Sequence, residues 1–175
     1  MEFTLRKWQS GDAASIARYA DNLRIAANLR DGFPHPYTAA DGKTFIDSCI
    51  HGEETRQYCR AIVIDGEAVG SIGVFLQTDI YRKSAELGYW LGEPFWGQGI
   101  MTRAVKQVCD HVFANYDVVR IYAEPFAENA GSRRVLEKAG FQLEGIMRQG
   151  AVKNGRLMDW CMYGKLKEDG KEQPE

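Results

Sequence analysis

A β-like run, Ala85-Glu-Leu-Gly-Tyr-Trp-Leu91, stops at Gly92 and Pro94, and a glycine pair, Gly97 and Gly99, then opens directly into a helical pattern from Ile100. The first turn of a helix carries backbone N–H groups without intrahelical partners, and the helix dipole adds positive potential there. Glycine lets the backbone come close to a ligand and adopt positive φ. Strand, glycine turn and helix N-terminus together make a device for holding an anion, although a purely structural turn has the same pattern. It is not a P-loop, because Ile100 and Met101 stand where a lysine and a hydroxyl are required. It is not a dinucleotide fingerprint either, since Trp96-Gly97-Gln98-Gly99 follows four strands and lacks a third spaced glycine.

Elements on either side can be read in order. Phe3 and Leu5 alternate with polar neighbours in a first strand at 2–8, and Ser10 or Asp12 can cap a helix with Ala13, Ile16, Ala17 and Ala20 on its inner face. A short helical piece at 21–29 runs into Arg30-Asp31-Gly32, and the prolines of Phe33-Pro34-His35-Pro36-Tyr37 rule out regular helix there. Thr38 caps a helix at 39–51 whose core face is Phe45, Ile46, Cys49 and Ile50. Strands 59–64 and 68–76 flank Asp65-Gly66, a strong hairpin signal, and Gly70 and Gly73 mark a bulge or a close neighbour in the second of them. A strand at 84–92, a helix at 98–115, a strand at 118–124 and a helix at 130–139 follow. Gly140 suits a left-handed cap with Leu136 and Phe141 in contact across it. Two strands, 141–149 and 156–166, close the domain through Lys153-Asn154-Gly155. The pattern predicts one α+β domain over 1–166, and the charged tail at 167–175 is expected to be disordered.

The totals exclude several functions. A net charge of -2 with spread Lys and Arg gives no nucleic-acid footprint and no basic membrane surface. Cys49, Cys59, Cys109 and Cys161 form no CxxC pair, and His35, His51 and His111 are not spaced as metal ligands, so no metal is expected. The cysteines read as reduced, small hydrophobes of a cytoplasmic protein. No apolar run approaches the about 18 residues of a membrane span, and the N-terminus is not a signal peptide. Oligomeric state stays open, a homodimer among the options.

A second segment, Asn129-Ala-Gly-Ser132 through Glu137-Lys-Ala-Gly-Phe141, is a capped amphipathic helix with a serine that has no packing purpose in its first turn. Taken with Ala85–Leu91 and Trp96–Gly99, it makes the chain resemble the GNAT superfamily of acyl-CoA-dependent N-acetyltransferases. The resemblance spans nearly the whole domain and is closest to the branch holding the ribosomal-protein N-terminal acetyltransferases of the RimJ/RimL type. It implies the GNAT fold, a central mixed twisted sheet of about seven strands, splayed in the middle and flanked by helices.

The same resemblance implies acetyl-CoA as co-substrate. Backbone N–H groups of Gly97, Gln98, Gly99, Ile100, Met101 and Thr102 would hold its pyrophosphate, and the Tyr89, Trp90 and Leu91 backbone would pair with the pantetheine arm. Asn129 would bond the pantetheine amides. Trp96 and Met101 depart from the superfamily's usual turn residues. The acceptor would be a primary amine, either a protein N-terminus or a small molecule, attacking directly in a ternary complex. Glu86 shares a strand face with Gly88 and Trp90 and is the candidate base. Ser132 resembles the general acid of the Rim branch, with a contact to CoA or to the helix N-terminus as the alternative. Phe33, His35 and Tyr37 in the 30–38 loop, with Arg148, are candidates for the acceptor site, and Glu124 is a further one. A non-catalytic acyl-CoA-binding regulatory module is the rival reading.

Overall fold

The computed structural model describes residues 1–52 and 54–170. Seven strands form one sheet: β1 (Thr4–Arg6), β2 (Gln57–Ile64), β3 (Glu67–Leu76), β4 (Ser84–Leu91), β5 (Arg120–Ala123), β6 (Gln142–Lys153) and β7 (Arg156–Leu166). Their spatial order is β1-β2-β3-β4-β5-β7-β6, and only the β4–β5 pair is parallel. The helices are α1 (Ala13–Ala20), α2 (Leu23–Ala26), α3 (Ala39–His51), α4 (Ile100–Asn115) and α5 (Ala130–Lys138).

Period-two alternation on the central strands sends side chains into two cores. Ala85, Leu87 and Leu91 of β4 meet Ile100, Ala104, Val105 and Val108 of α4 and Leu136 of α5 on one face. Trp90 points the other way, into a cluster with Ile16, Ile25, Tyr37 and Ile46 beneath α1, α2 and α3. The β4 strand is therefore buried between two helical layers, and a gap opens beside it.

Turn chemistry follows the residues. Asp65 and Gly66 both have positive φ (49 and 84), as do Asn154 and Gly155 (51 and 74), the backbone of tight two-residue hairpins. At the end of α5, Phe141 N donates to Leu136 O and Gly140 N to Glu137 O, with Gly140 at φ +90, so the left-handed cap forms as its sequence predicts. The bulge expected in the second strand of the first hairpin is present: Val69 of β3 is the extra residue between Ala68 and Gly70, which pair with the consecutive Val63 and Ile62 of β2.

Four local expectations are corrected. Strand β1 is shorter than 2–8, because Trp8 turns into the core. Asp12 makes no side-chain cap for α1; its buried carboxylate accepts instead from Arg6 at 2.7 Å and from Gln9 N at 2.9 Å. Ile50 is 46% exposed, because the apolar stripe of α3 faces the sheet only through Ile46, with Phe45 and Cys49 at its edge. Lys167–Gly170 form a single 3-10 turn tied down by Leu166 N donating to Asp169, while 171–175 lie outside the described residues. Among the described residues no helix is long and apolar enough to cross a membrane.

Candidate active site

The site exists because β4 outlasts its parallel neighbour. It pairs with β3 along its whole length, from Leu76↔Ala85 to Gly70↔Leu91, but with β5 only over Ser84–Glu86. Beyond Ala123 the chain turns to β7: Pro125 has no N–H to offer β4, and its carbonyl accepts from Cys161 N at 2.8 Å. Ladder alternation then says which groups are left over. Lys83 O faces β5, accepting from Val119 N at 2.9 Å, whereas Gly92 N faces β3, donating to Val69 O at 2.7 Å. Odd-numbered residues of β4 therefore present N–H and C=O to the gap. The Leu91 carbonyl accepts from Trp96 Nε1 at 2.6 Å, which leaves Tyr89 N–H, Tyr89 C=O and Leu91 N–H facing the opening. A cavity of about 1470 Å³ fills that gap. It exceeds the roughly 300–1,000 Å³ usual for a single small ligand and suits two substrates.

Next to this edge lies the glycine turn. Gly97 (φ +74) and Gly99 (φ +71) are both left-handed, and a Cβ at either would meet nothing within 4 Å, so glycine is required by conformation and not by space. The first backbone bond of α4 runs from Arg103 N to Gly99 O at 3.2 Å. Among the described residues the N–H groups from Gly97 to Thr102 meet no protein acceptor. Ile100 and Met101 bury their side chains in the core, so only their backbones can meet a ligand. Trp96 secures the turn to the end of β4. Glu93 accepts from Asn22 Nδ2 at 2.7 Å and pairs with Arg24, whose guanidinium lies 5.2 Å from the Trp96 ring centroid. Arg24, Arg134 and Lys138 also line the cavity, as cations with no motif of their own in the sequence.

On the far wall, Asn129 Oδ1 caps α5 by accepting from Ser132 N at 3.1 Å, which leaves its Nδ2 as a donor. Ser132 has a purpose that periodicity could not reveal: its Oγ lies 2.8 Å from the Tyr89 hydroxyl. Burial pushes the Tyr89 phenol well above its ordinary range, the Ser132 hydrogen bond opposing it only in part.

At the other end of the cavity, Glu86 of β4 and Glu124, just past β5, share one guanidinium. Arg30 Nη2 donates to Glu86 Oε1 and, at 2.9 Å, to Glu124 Oε2. The carboxylate side chains are 22% and 27% exposed and that of Arg30 is 71% exposed, so the cation is the loosely held member. Burial, and then the charge of Glu86, raise the Glu124 carboxyl above its ordinary value, against the pull of Arg30. Lys153, only 10% exposed, pairs with Asp31 at 3.0 Å on the same wall, with Phe75 and Trp160 as apolar neighbours.

The structure thus brings Glu86, Tyr89, Trp90, Leu91, Gly97, Gly99, Ile100, Met101, Thr102, Asn129 and Ser132 to one cavity. Gln98 sits in the turn with its side chain folded back, donating to Pro94 O at 3.2 Å. The proposed acceptor residues are placed elsewhere. Phe33 and Tyr37 fold inward: their rings lie 4.9 Å apart, Phe33 is 5.8 Å from Trp90, and Tyr37 is 6% exposed. His35 is directed to Asp21, Nδ1 to Oδ1 3.3 Å, and none of the three lines the cavity. Arg148 stays exposed in the β6 bulge between Met147 and Ala151, off the cavity wall. From the 30–38 loop, Arg30 lines the cavity. It had no signal of its own, being one charge in a polar turn that only the tertiary fold carries to Glu86.

The comparisons agree with this geometry. The profile of the acetyltransferase (GNAT) domain matches residues 2–142. The probable N-acetyltransferase YjcK of Bacillus subtilis (strain 168) is 37% identical over 163 residues, covering 87% of this chain and 90% of that protein. The ribosomal-protein-serine acetyltransferase of Escherichia coli (strain K12) is 30% identical over 113 residues, 63% of each. Among solved structures, Mycobacterium smegmatis RimJ in complex with CoA-disulfide superposes with a TM-score of 0.84 at 26% identity, covering 97% of this chain and 84% of that one.

Proposed function

The chain belongs to the GNAT acetyltransferase family, and from that premise we propose how its residues bind acetyl-CoA and pass the acetyl group to a primary amine by direct attack. It is an N-acetyltransferase. The observation that carries the assignment of the site is the run of unpartnered N–H groups from Gly97 to Thr102 next to the unpaired Tyr89–Leu91 edge. These groups fit an extended ligand that carries phosphates at one end and amides along its length.

Gly97–Thr102 hold the pyrophosphate with backbone donors and the α4 dipole, while Arg24, Arg134 and Lys138 supply charge around it. Tyr89 C=O and Leu91 N–H take up the pantetheine amides as a further strand would, and Asn129 Nδ2 donates to them from the α5 side. Tyr89 N–H points to where the thioester oxygen gains charge and stabilises it as attack proceeds. The acceptor reaches the carbonyl from the Glu86 side. There the Glu86 carboxylate takes the proton that the ammonium must shed before its nitrogen can attack. The Tyr89–Ser132 hydroxyl pair, at the opposite wall, returns a proton to the departing thiolate.

Residues 1–166 act as one catalytic domain in this scheme. The acceptor class includes free protein N-termini, in keeping with the ribosomal-protein relatives. A thiol-release assay with acetyl-CoA tests it against peptides beginning with Ser or Ala, simple alkylamines and free amino acids. Turnover with at least one of these is the expected result. Calorimetric binding of acetyl-CoA without turnover across the panel would instead support a regulatory binding module.

A further inference from the structure

Two carboxylates and one guanidinium stand where the acceptor must arrive, and their order is unusual. Glu86 and Glu124 are mostly buried, whereas the side chain of Arg30, which bridges them, is 71% exposed. A cation whose side chain is this exposed is reached by solvent and can be replaced by another cation. An acceptor amine at neutral pH is itself a cation, since ordinary alkylammonium groups ionise near 10. It seeks the same position between the same oxygens.

We propose that the acceptor ammonium displaces Arg30 from between Glu86 and Glu124, and that the freed carboxylate pair, not Glu86 alone, accepts its proton. The inference rests on the acetyltransferase reading above and refines its acceptor site. With Arg30 in place, the guanidinium offsets one of two negative charges and, at Glu124, opposes the upward push of burial and of Glu86. Once it leaves, two close carboxylates face each other in a partly desolvated site, and one of them gains proton affinity. The ammonium passes one N–H proton to a carboxylate oxygen of the pair, and the nitrogen lone pair forms the C–N bond to the thioester carbon. As the C–S bond breaks, the nitrogen releases its second proton to solvent through the carboxylate pair, and the Tyr89–Ser132 hydroxyls give one to the thiolate. Arrival of the substrate thus creates the base that the reaction needs, and a resting enzyme without acceptor keeps it disarmed.

The groups that face Glu124 are Arg30 from the loop after α2, Glu86 from β4 and Tyr122 from β5, with the Lys153–Asp31 pair further along the wall. Burial, then Glu86 and Glu124, raise the Tyr122 phenol, so it stays neutral and adds no charge at neutral pH. Lys153 is already paired. Arg30 is therefore the switchable charge, and it acts as a positioning residue.

The test combines a kinetic and a turnover-free measurement on the full chain. With saturating acetyl-CoA, n-propylamine and an alanine-initiated heptapeptide serve as acceptors for wild type, Arg30→Ala, Arg30→Lys, Glu86→Gln and Glu124→Gln. The expected results are a KM for acceptor lowered roughly two- to tenfold in Arg30→Ala, and a kcat lowered by about 10²-fold or more in each glutamine variant. The acid limb of kcat/KM, which reports the free enzyme, should move to higher pH in Arg30→Ala, while that of kcat stays in place. Arg30→Lys should restore the limb position. Carboxyl ¹³C NMR of Glu-labelled protein should show the same upward move of the pair's titration in Arg30→Ala without any acceptor. A raised KM in Arg30→Ala overturns the displacement, and an unmoved carboxyl titration overturns the disarming role. Activity lost in Glu86→Gln but intact in Glu124→Gln would leave the acetyltransferase reading standing and refute the shared base. Absence of turnover in the wild type, with the NMR shift present, would instead count against the assigned reaction.

Discussion

The Ser132 Oγ of α5 lies 2.8 Å from the Tyr89 hydroxyl of β4. In the mechanism proposed above, two hydroxyls so placed act as one proton-donating unit: whichever gives a proton to the leaving thiolate can recover one from the other. Burial keeps the Tyr89 phenol protonated well beyond its ordinary range. Tyr89→Phe and Ser132→Ala should each lower kcat by about 10²-fold. Their double variant should be little worse than either, because neighbours acting as one unit do not add. Additive losses in a double-mutant cycle would show that the hydroxyls act separately. Since the phenol's titration moves up, no alkaline loss of kcat assignable to Tyr89 should occur below its ordinary value of about 10.

The donor side gives a different split. Gly99 sits at φ +71 as the residue before α4, and a non-glycine residue there is strained by roughly 1–2 kcal/mol even though space is open. The backbone relieves that strain by turning its peptide, which misdirects the N–H groups proposed to meet the pyrophosphate. Gly99→Ala should raise KM for acetyl-CoA about tenfold and leave KM for the acceptor close to wild type. Calorimetric affinity for CoA, measured alongside, should fall in parallel; an unchanged CoA affinity would remove the turn from the binding site.

Much of this was legible in the sequence, for identifiable reasons. Residues 85–104 carry a strand, a left-handed turn and a helix start in unbroken order, so local conformation alone fixes where the N–H groups point. Gly140 with Leu136 and Phe141 was equally readable, because a helix cap is set by residues within one turn. What escaped was whatever depends on non-local packing. Phe33 and Tyr37 sit in a proline-rich loop and read as binding residues, yet the second core needed aromatic bulk against Trp90 and drew them inward. Arg30 could not be seen because its two partners lie far along the chain. Ser132 looked idle until Tyr89 was placed opposite it.

Stability should respond to acid through Asp12. Burial opposes its ionised form, but hydrogen bonds from Arg6 and from Gln9 N outweigh that, so its carboxyl titrates below the ordinary range. A lowered native value means that the pair's stabilisation is complete above the unfolded value of about 3.9 and is lost as pH falls through the native one. Asp12→Asn leaves Arg6 without its ionic partner, and the loss at neutral pH should be roughly 1–3 kcal/mol, about 2–4 °C of Tm for each kcal/mol. Melts at pH 7 and at pH 3 check this: the gap between wild type and Asp12→Asn should narrow in acid. A gap that stays constant would mean the carboxylate's charge contributes nothing.

Two glycines on adjacent strands separate packing from function. A Cβ at Gly70 of β3 would meet Trp90 O at 2.6 Å and Leu91 Cα at 3.1 Å, both backbone, so Gly70→Ala must force β3 away from β4. Overpacking of this kind costs about 1–3 kcal/mol, and Tm should fall accordingly. At Gly88 of β4 the nearest atom would be Phe75 Cε2 at 3.9 Å, an ordinary contact. Alanine is about 0.5–1 kcal/mol better than glycine inside a strand, so Gly88→Ala should melt at or above the wild-type temperature. Its methyl group, however, would stand on the cavity wall between Glu86 and Trp90, on the path proposed for the acceptor. Gly88→Ala should therefore raise KM for the acceptor several-fold with KM for acetyl-CoA unchanged, while Gly70→Ala loses stability first. Thermal melts and paired KM measurements distinguish the two, and a Gly88→Ala variant that melts early with normal kinetics would place Gly88 in the fold's packing and not on the acceptor's path.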